Sequence, residues 1–407
     1  MDKPFLIVGA GQAGGYAAQA LRAGGYRGRL LLVGDEPFAP YERPPLSKSV
    51  LLAEDSESGF EAWLDESGFR DGSIAEHIVG RVAHLDTGRR QAWLESGETL
   101  DYEKCLLATG GRARPLAAAP PSGRIAYLRT LNDALQLRGL IAQSRSAAVI
   151  GGGFLGLEIA ASARTRGLAV TVFESAPRLL ARAMPTGFSD RLLRKHALHG
   201  VRVVLNSGAV RIEEQDAAVE VSNEREVSTF DLCVIAVGQE PNDGLARASG
   251  IAVNNGIVVD ERCRTSAPDV YAAGDCTNFP LGRTGRRTRL ESWQNAKDQA
   301  IVAAQNMLGD PSSYDPTPWF WTDQYDWNIQ MLGLMDDSID RWVTRQAADD
   351  KTLIMGLHGR AVVYALALNQ GGELRALKRI VEQGILIDPE RLADMSVKLR
   401  QVDRAAH

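Results

Sequence analysis

Short, unbroken apolar runs punctuated by glycine turns set the pattern of this chain. Phe5-Leu6-Ile7-Val8 is followed at once by Gly9-Ala10-Gly11-Gln12-Ala13-Gly14. An alanine-rich stretch, Gly15 to Ala23, comes next and is stopped by Gly24-Gly25. A four-residue apolar run bounded by glycine reads as a buried strand, and the alanine-rich stretch reads as a helix with a glycine stop. Leu30-Leu31-Leu32-Val33 predicts a second buried strand, ending at Gly34-Asp35-Glu36. The pattern then recurs. Ala147-Ala148-Val149-Ile150 reads as a strand, Gly151-Gly152-Gly153-Phe154-Leu155-Gly156 as a turn, and Leu157 to Thr165 as a helix ending at Gly167. Ala169 to Phe173 follows as a strand with Glu174 at its end. Two β-turn-α-β units, 142 residues apart, predict an α/β protein with two Rossmann-like domains.

Elsewhere the pattern is shorter-ranged. Arg81 to Leu107 reads as short strands with a turn at Thr87-Gly88, suiting a β-meander. Ile329 to Leu334 and Ala361 to Leu368 read as strands, and Asp388-Pro389 opens a terminal helix with proline at its first position. No repeat beyond the two units is evident. The apolar run at Phe5 to Val8 is far short of the ~20 residues a membrane span needs, so neither a span nor a targeting signal is expected, and the expected location is the cytoplasm.

Composition narrows the function. The 407 residues include 51 acidic and 46 basic side chains, a net charge of −5, with 44% hydrophobic and 24% charged residues. That balance excludes disordered, collagenous and coiled-coil classes and allows two or three domains. A slightly acidic chain argues against nucleic acid as a partner. Cys105, Cys233, Cys263 and Cys276 show no paired spacing, so reduced core thiols are expected, with no disulfide framework, zinc site or iron–sulfur cluster. His196 and His199, three apart beside Lys195, read as a solvated helix face with no metal.

The glycine turns carry the chemistry. Gly9, Gly11 and Gly14, and again Gly151, Gly153 and Gly156, give GxGxxG between strand and helix, where backbone N–H groups and the helix dipole receive a pyrophosphate. Asp35 lies 21 residues beyond Gly14 and Glu174 lies 18 beyond Gly156, each where a carboxylate accepts hydrogen bonds from ribose. Two dinucleotides in one chain suggest a flavin and a nicotinamide exchanging hydride. Glu174 favours NADH, because a carboxylate there repels a 2′-phosphate. Arg178 and Arg182 are candidates either for admitting NADP or for stacking on adenine.

Further motifs add a family. Tyr41-Glu42-Arg43-Pro44-Pro45-Leu46-Ser47-Lys48, Ala108-Thr109-Gly110, Val237-Gly238-Gln239-Glu240-Pro241-Asn242, Pro268 to Asp275 and Pro318-Trp319-Phe320-Trp321-Thr322-Asp323-Gln324 stand in order along the chain. In this the chain resembles the FAD-dependent ferredoxin reductases of Rieske oxygenase and cytochrome P450 systems. The resemblance implies a glutathione-reductase-like flavoprotein fold: a discontinuous FAD domain over 1–110 and 240–318, an NAD domain over 111–239, and a C-terminal α+β domain over 319–407. It implies FAD and NADH as cofactors and a small, acidic [2Fe-2S] ferredoxin as partner, with the reductase a monomer or homodimer away from membranes.

The resemblance also implies roles. Arg43, Ala108, Thr109, Gly110, Asp275 and Trp293 would line FAD, with Asp275 on the ribitol or, on the blander reading, capping the next helix. Gly238, Glu174 and Arg182 would serve NAD. Lys48 would sit near flavin N5 and N1, paired with Glu158, its cation stabilising charge that hydride transfer places on the ring. Trp321 would shield the flavin edge where electrons leave. No cysteine precedes Cys105, so a dithiol exit is absent. Arg283, Arg286, Arg287 and Arg289 crowd before Trp293 as a candidate ferredoxin dock, with Arg375, Lys378 and Arg379 a weaker one. Competing readings are a reductase of rubredoxin or quinone, and a redox-dependent interaction protein resembling apoptosis-inducing factor.

Overall fold

The computed structural model describes residues 3–54, 63–282 and 285–403. The described parts of Met1–Pro45, Gly59–Arg112 and Gln239–Pro316 form one compact unit, and those of Leu46–Ser58, Ala113–Gly238 and Thr317–His407 form another. The chain thus passes from the first to the second within the Tyr41 to Lys48 motif.

The first unit is built on a five-stranded parallel sheet in the order Val270–Ala272, Lys104–Leu107, Phe5–Val8, Leu30–Gly34 and Glu76–Val79. Every residue of Phe5–Val8 and of Leu30–Gly34 is buried, which is why these runs are continuously apolar and do not alternate. Helix Gln12–Ala23 starts three residues earlier than the sequence suggests and packs along helix Trp293–Leu308. An antiparallel meander of Val82–Asp86, Gln91–Leu94 and Thr99–Asp101 completes the unit. One core joins these parts, with Leu6, Ile7, Leu32, Leu106, Phe279 and Met307 in it.

The second unit repeats the plan. Its parallel sheet runs Arg202–Leu205, Ala169–Glu174, Ser146–Ile150, Leu232–Ile235 and Ile125–Tyr127. It too carries a meander, formed by Arg211–Glu214, Val219–Ser222 and Val227–Phe230. That second meander escapes the sequence reading. Its strands have four residues each and carry five glutamates and serines among the apolar positions, too little alternation to stand out.

Residues beyond 318 form a five-stranded antiparallel sheet in the order Trp319–Gln324, Trp327–Gly333, Ala361–Leu368, Lys351–His358 and Arg341–Ala348. Helix Gly371–Glu382 covers it with Leu374, Leu377, Ile380 and Val381, and short helix Pro389–Ala393 is capped by Asp388. Strand alternation in Trp319–Gln324 puts Trp319 and Trp321 on one face and Phe320, Thr322 and Gln324 on the other, with Thr322 and Gln324 fully buried.

Two expectations are corrected. Asp275 caps no helix, because the chain continues into strand Thr277–Leu281 and the next helix is capped by Ser292. His196 does not face solvent. It lies on helix Thr186–Leu198 with 0% exposure, turned inward toward the sheet that begins at Trp319.

Candidate active site

Each glycine turn leaves a helix N-terminus bare. The two helices after them begin from extended Gly11 and Gly153, with no side-chain cap and no acid in the first turn. Helix Leu131–Gln143 shows what is missing, since Thr130 and Asp133 close its N-terminus with a reciprocal capping box. The geometry of the two turns is nearly the same. Gly9 has φ +114° and Gly151 φ +109°, and a Cβ at either would lie 2.1 Å from the Ala108 carbonyl oxygen or 2.4 Å from that of Ala236. Only glycine holds these positions. At Gly153 a Cβ would meet nothing within 4 Å, and at Gly11 only the Arg43 guanidinium at 3.5 Å. Open space over uncapped N–H groups is what a pyrophosphate requires, so the residues present fit two dinucleotides.

The acids beside the two turns differ. Glu174 aims back at its turn: Oε2 accepts from the Gly152 N–H at 2.7 Å and Oε1 from the Ala176 N–H at 2.7 Å. Asp35 is about half exposed and accepts from Arg81 at 2.9 and 3.0 Å. Its neighbour Glu36 is the enclosed one, accepting from Tyr41 Oη at 2.5 Å and Arg43 Nη2 at 2.9 Å. Glu36 was not singled out by sequence, because spacing does not choose between adjacent acids. Arg43 also lies over the Tyr41 ring at 5.1 Å and feels the charge of Asp275. Asp275 itself accepts from Gln239 at 3.1 Å.

The other residues singled out by sequence have partners of their own. Thr109 and Asn242 exchange hydrogen bonds, Oγ1 to the Asn242 carbonyl at 2.7 Å and Nδ2 to the Thr109 carbonyl at 2.9 Å, and Gly110 accepts from the Asn242 N–H. Trp293 opens its helix; its carbonyl accepts from Gln12 at 2.8 Å, and Lys297 lies 4.9 Å over its ring. Gly238 has φ +109° and accepts from the Arg114 N–H at 2.9 Å. Arg182 is exposed. Arg178 is committed elsewhere, donating to the carbonyls of Met184 and Ala181 and to Ser189 Oγ.

The second unit holds one ion pair at the centre of a buried polar cluster. Lys48 Nζ lies 2.8 Å from Glu158 Oε2, with side chains 21% and 8% exposed. Glu158 comes from the first turns of helix Phe154–Thr165, which presents Leu157, Ile159 and Ala160 to its own core. Ser47 Oγ donates to the same Oε2 at 2.5 Å, and Thr322 Oγ1 donates to Oε1 at 2.6 Å. Ser162, one turn further along the helix, donates to the Ser47 carbonyl at 2.7 Å and anchors the segment that carries Lys48. Burial of a carboxylate is tolerated here because both oxygens are satisfied. Ser47 and Thr322 are members of the cluster that sequence alone did not nominate, although both stand inside quoted motifs.

The aromatic and basic residues singled out by sequence take different parts. Trp321 stacks on Trp319 with ring centroids 4.9 Å apart, while Phe320, on the other face, meets Phe154 at 4.4 Å. The arginines before Trp293 differ in their partners. Arg287 donates to the carbonyls of Val259 and Asn278, Arg289 pairs with Glu291, and Arg283 lies outside the described residues. Arg286 is exposed. On the exposed face of helix Gly371–Glu382, Lys378 pairs with Glu382 and Arg379 with Asp403. His196 Nε2 lies 2.8 Å from Gln324 Oε1 and Nδ1 lies 3.3 Å from Tyr325 Oη. Burial lowers the His196 pKa to about 4, against the pull of the Gln324 hydrogen bond. All four cysteines are buried free thiols, and burial pushes Cys233 up to about 12 and the others upward as well.

Residues 3–300 match the pyridine nucleotide-disulphide oxidoreductase family, and residues 319–402 match the reductase C-terminal family. The ferredoxin–NAD(+) reductase component of the anthranilate 1,2-dioxygenase system of Burkholderia cepacia is 39% identical over 402 residues, 98% of each chain. This chain belongs to the ferredoxin–NAD(+) reductase family. A second such reductase, the 3-phenylpropionate/cinnamic acid dioxygenase component of Photorhabdus laumondii, is 37% identical over 93% of this chain and 96% of its own. Among solved structures, the ferredoxin reductase for the CYP199A2 system of Rhodopseudomonas palustris superposes with a TM-score of 0.92 at 35% identity, covering 98% of this chain and 99% of that one. The reductase in the covalent putidaredoxin reductase–putidaredoxin complex gives 0.92 at 33% identity over 98% of both. Membership in this ferredoxin reductase family sets the enzyme class: an oxidoreductase built for FAD and NADH.

Proposed function

We propose that this reductase carries electrons from NADH, by way of FAD, to a small [2Fe-2S] ferredoxin that serves an oxygenase. FAD is assigned to the Gly9 to Gly14 turn of the first unit and NADH to the Gly151 to Gly156 turn of the second. The observation that carries the reading is a pair of uncapped glycine turns in one chain that also holds the enclosed Lys48–Glu158 pair.

Flavin, when bound, supplies the passage from a two-electron donor to one-electron acceptors, which nicotinamide does not readily make. The chain's own residues bind, orient and polarise. The bare helix N-termini take the two pyrophosphates, and Glu174 accepts from a ribose while repelling a 2′-phosphate, which favours NADH over NADPH. Lys48 offers a fixed positive charge toward the place where negative charge develops, and Glu158 keeps that ammonium from swinging into solvent. Arg43, Asp275 and Trp293, all of the first unit, are assigned to the flavin. Since no thiol pair is exposed among the described residues, electrons leave by the flavin edge and not through a dithiol.

The partner is an acidic ferredoxin drawn by basic residues that include Arg286. The reductase works in the cytoplasm, a reading supported by four free buried thiols and by the absence, among the described residues, of any helix long and apolar enough to cross a membrane. Anaerobic titration with NADH tests the assignment, followed by stopped-flow mixing with oxidised ferredoxins. Bleaching of the flavin band by one equivalent of NADH, and its return with two ferredoxins reduced, is expected. A preparation reoxidised by quinones but by no iron–sulfur protein would overturn the choice of partner.

A further inference from the structure

The buried cluster around Glu158 does not end at Thr322. Gln324, two residues along the same face of strand Trp319–Gln324, donates from Nε2 to Thr322 Oγ1 at 3.2 Å. Its Oε1 lies 2.8 Å from His196 Nε2, and His196 Nδ1 lies 3.3 Å from Tyr325 Oη. Tyr325 then stacks on His199 with centroids 3.7 Å apart. Thr322, Gln324 and His196 are each 0% exposed.

The chemistry of the groups fixes the direction of every bond. An ionised carboxylate only accepts, so Thr322 must give its proton to Glu158. Its oxygen then receives from the Gln324 amide N–H, which leaves the amide oxygen to accept. Only the Nε2–H tautomer of His196 can donate there, and that leaves Nδ1 to accept from the Tyr325 hydroxyl. All four donors point one way, toward the carboxylate that holds Lys48. Acceptance at Nδ1 requires a neutral ring, and the surroundings keep it so: the ring is desolvated and His199 opposes its charging.

We propose that Gln324 and His196 are positioning residues of the Lys48–Glu158 pair, forming with Thr322 a one-directional hydrogen-bonded arm that fixes the rotamer of the Glu158 carboxylate and so the place of the Lys48 ammonium. The proposal rests on the reading of Lys48 given above for its catalytic meaning, but not for its geometry. Without Gln324 the Thr322 hydroxyl is free to turn to another acceptor. The carboxylate then loses the donor on Oε1, and Lys48 is held by a mobile partner.

Competitive acetylation of the protein as purified reads this directly, with Lys48 followed by mass spectrometry against exposed Lys378. Thr322→Val and Gln324→Leu should raise the acetylation rate of Lys48 about fivefold, the ratio equivalent to one hydrogen bond of about 1 kcal/mol, while Thr322→Ser restores it. Unchanged labelling in both apolar variants would mean that these residues only fill space and would overturn the arm. Labelling that rises while flavin reduction by NADH keeps its rate upholds the arm and removes Lys48 from the chemistry instead. A second reading needs no change near Thr322. Nitrogen-15 spectra of the histidine rings, with His196 identified by its loss in His196→Gln, should show a neutral ring protonated at Nε2. A neutral ring protonated at Nδ1 would leave Nε2 an acceptor, reverse the donor order and end the proposal, whereas a doubly protonated ring would still donate from Nε2 and uphold the arm.

Discussion

Ser47 and Thr322 hold Glu158 directly and Ser162 anchors the Ser47 backbone, which is a great deal of structure for one half-buried ammonium. Lys48→Met keeps the length of the side chain and removes its charge. Stopped-flow mixing with NADH should then show flavin reduction slowed by about a hundredfold, the size of effect seen when one preorganised donor is lost, with flavin still bound. A variant as fast as the parent would leave the pair a structural ornament. His196 gives a separate test through stability. Its pKa is lowered to about 4, so below pH 6.5 the unfolded chain takes up a proton that the native ring refuses. Stability from this group is full above that range and is lost as pH falls toward 4, with a slope of at most about 1.4 kcal/mol per pH unit. Urea denaturation at a series of pH values should show a shallower dependence in His196→Gln than in the parent, and equal slopes would contradict the buried neutral ring. Residue roles were only partly legible in the sequence. Glu174 could be nominated because spacing from a glycine fixes it, and Glu158 because the family resemblance pairs it with Lys48. His196 could not, since its partner Gln324 is 128 positions away and its helix neighbours Lys195 and His199 read as solvated.

At the scale of elements, the glycine turns were readable because each is a local structure: strand, tight turn and helix lie within some thirty residues, and the stereochemistry of the turn admits one residue type. The two turns can be separated by experiment. A Cβ at Gly14 would lie 1.9 Å from the Gly9 carbonyl oxygen, and one at Gly156 would lie 2.0 Å from that of Gly151. Gly14→Ala should therefore give protein that fails to retain flavin on gel filtration. Gly156→Ala should stay yellow yet lose saturation by NADH, and a colourless Gly156→Ala protein would exchange the two assignments. The meander Arg211–Glu214, Val219–Ser222 and Val227–Phe230 shows the opposite case. Its strands owe their existence to a core that includes Ile212, Val219 and Val221 packed with Phe173, residues brought together only by the finished fold. No window of sequence contains that information.

For the whole molecule, the electrostatic question is how a chain of net charge −5 receives an acidic partner. Four arginines in seven residues suggested a basic patch, but Arg287 and Arg289 are engaged with carbonyls and with Glu291. Arg289 is offset by Glu291 only two residues on, whereas the carbonyls that Arg287 meets fix its direction and leave its charge in place. Arg286→Glu should lower the ferredoxin reduction rate severalfold at low ionic strength and leave ferricyanide reduction unchanged, with the difference shrinking as salt shortens the Debye length from about 30 Å to about 8 Å. Equal loss with both acceptors would place the defect in the flavin site. Family membership was legible from motif order over nearly the full length, since five separated motifs in one order are hard to assemble without a common fold.

The buried thiols turn the molecule into a recorder of its own opening. Cys105, Cys263 and Cys276 belong to the first compact unit and Cys233 to the second, and each is fully enclosed. An alkylating reagent can reach them only in chains that have opened, so peptide mapping after timed exposure would assign every event to one half or the other. Whichever half releases its sulfurs first is the less secure, and adding NADH or flavin would report which half each of them braces, without a single engineered label.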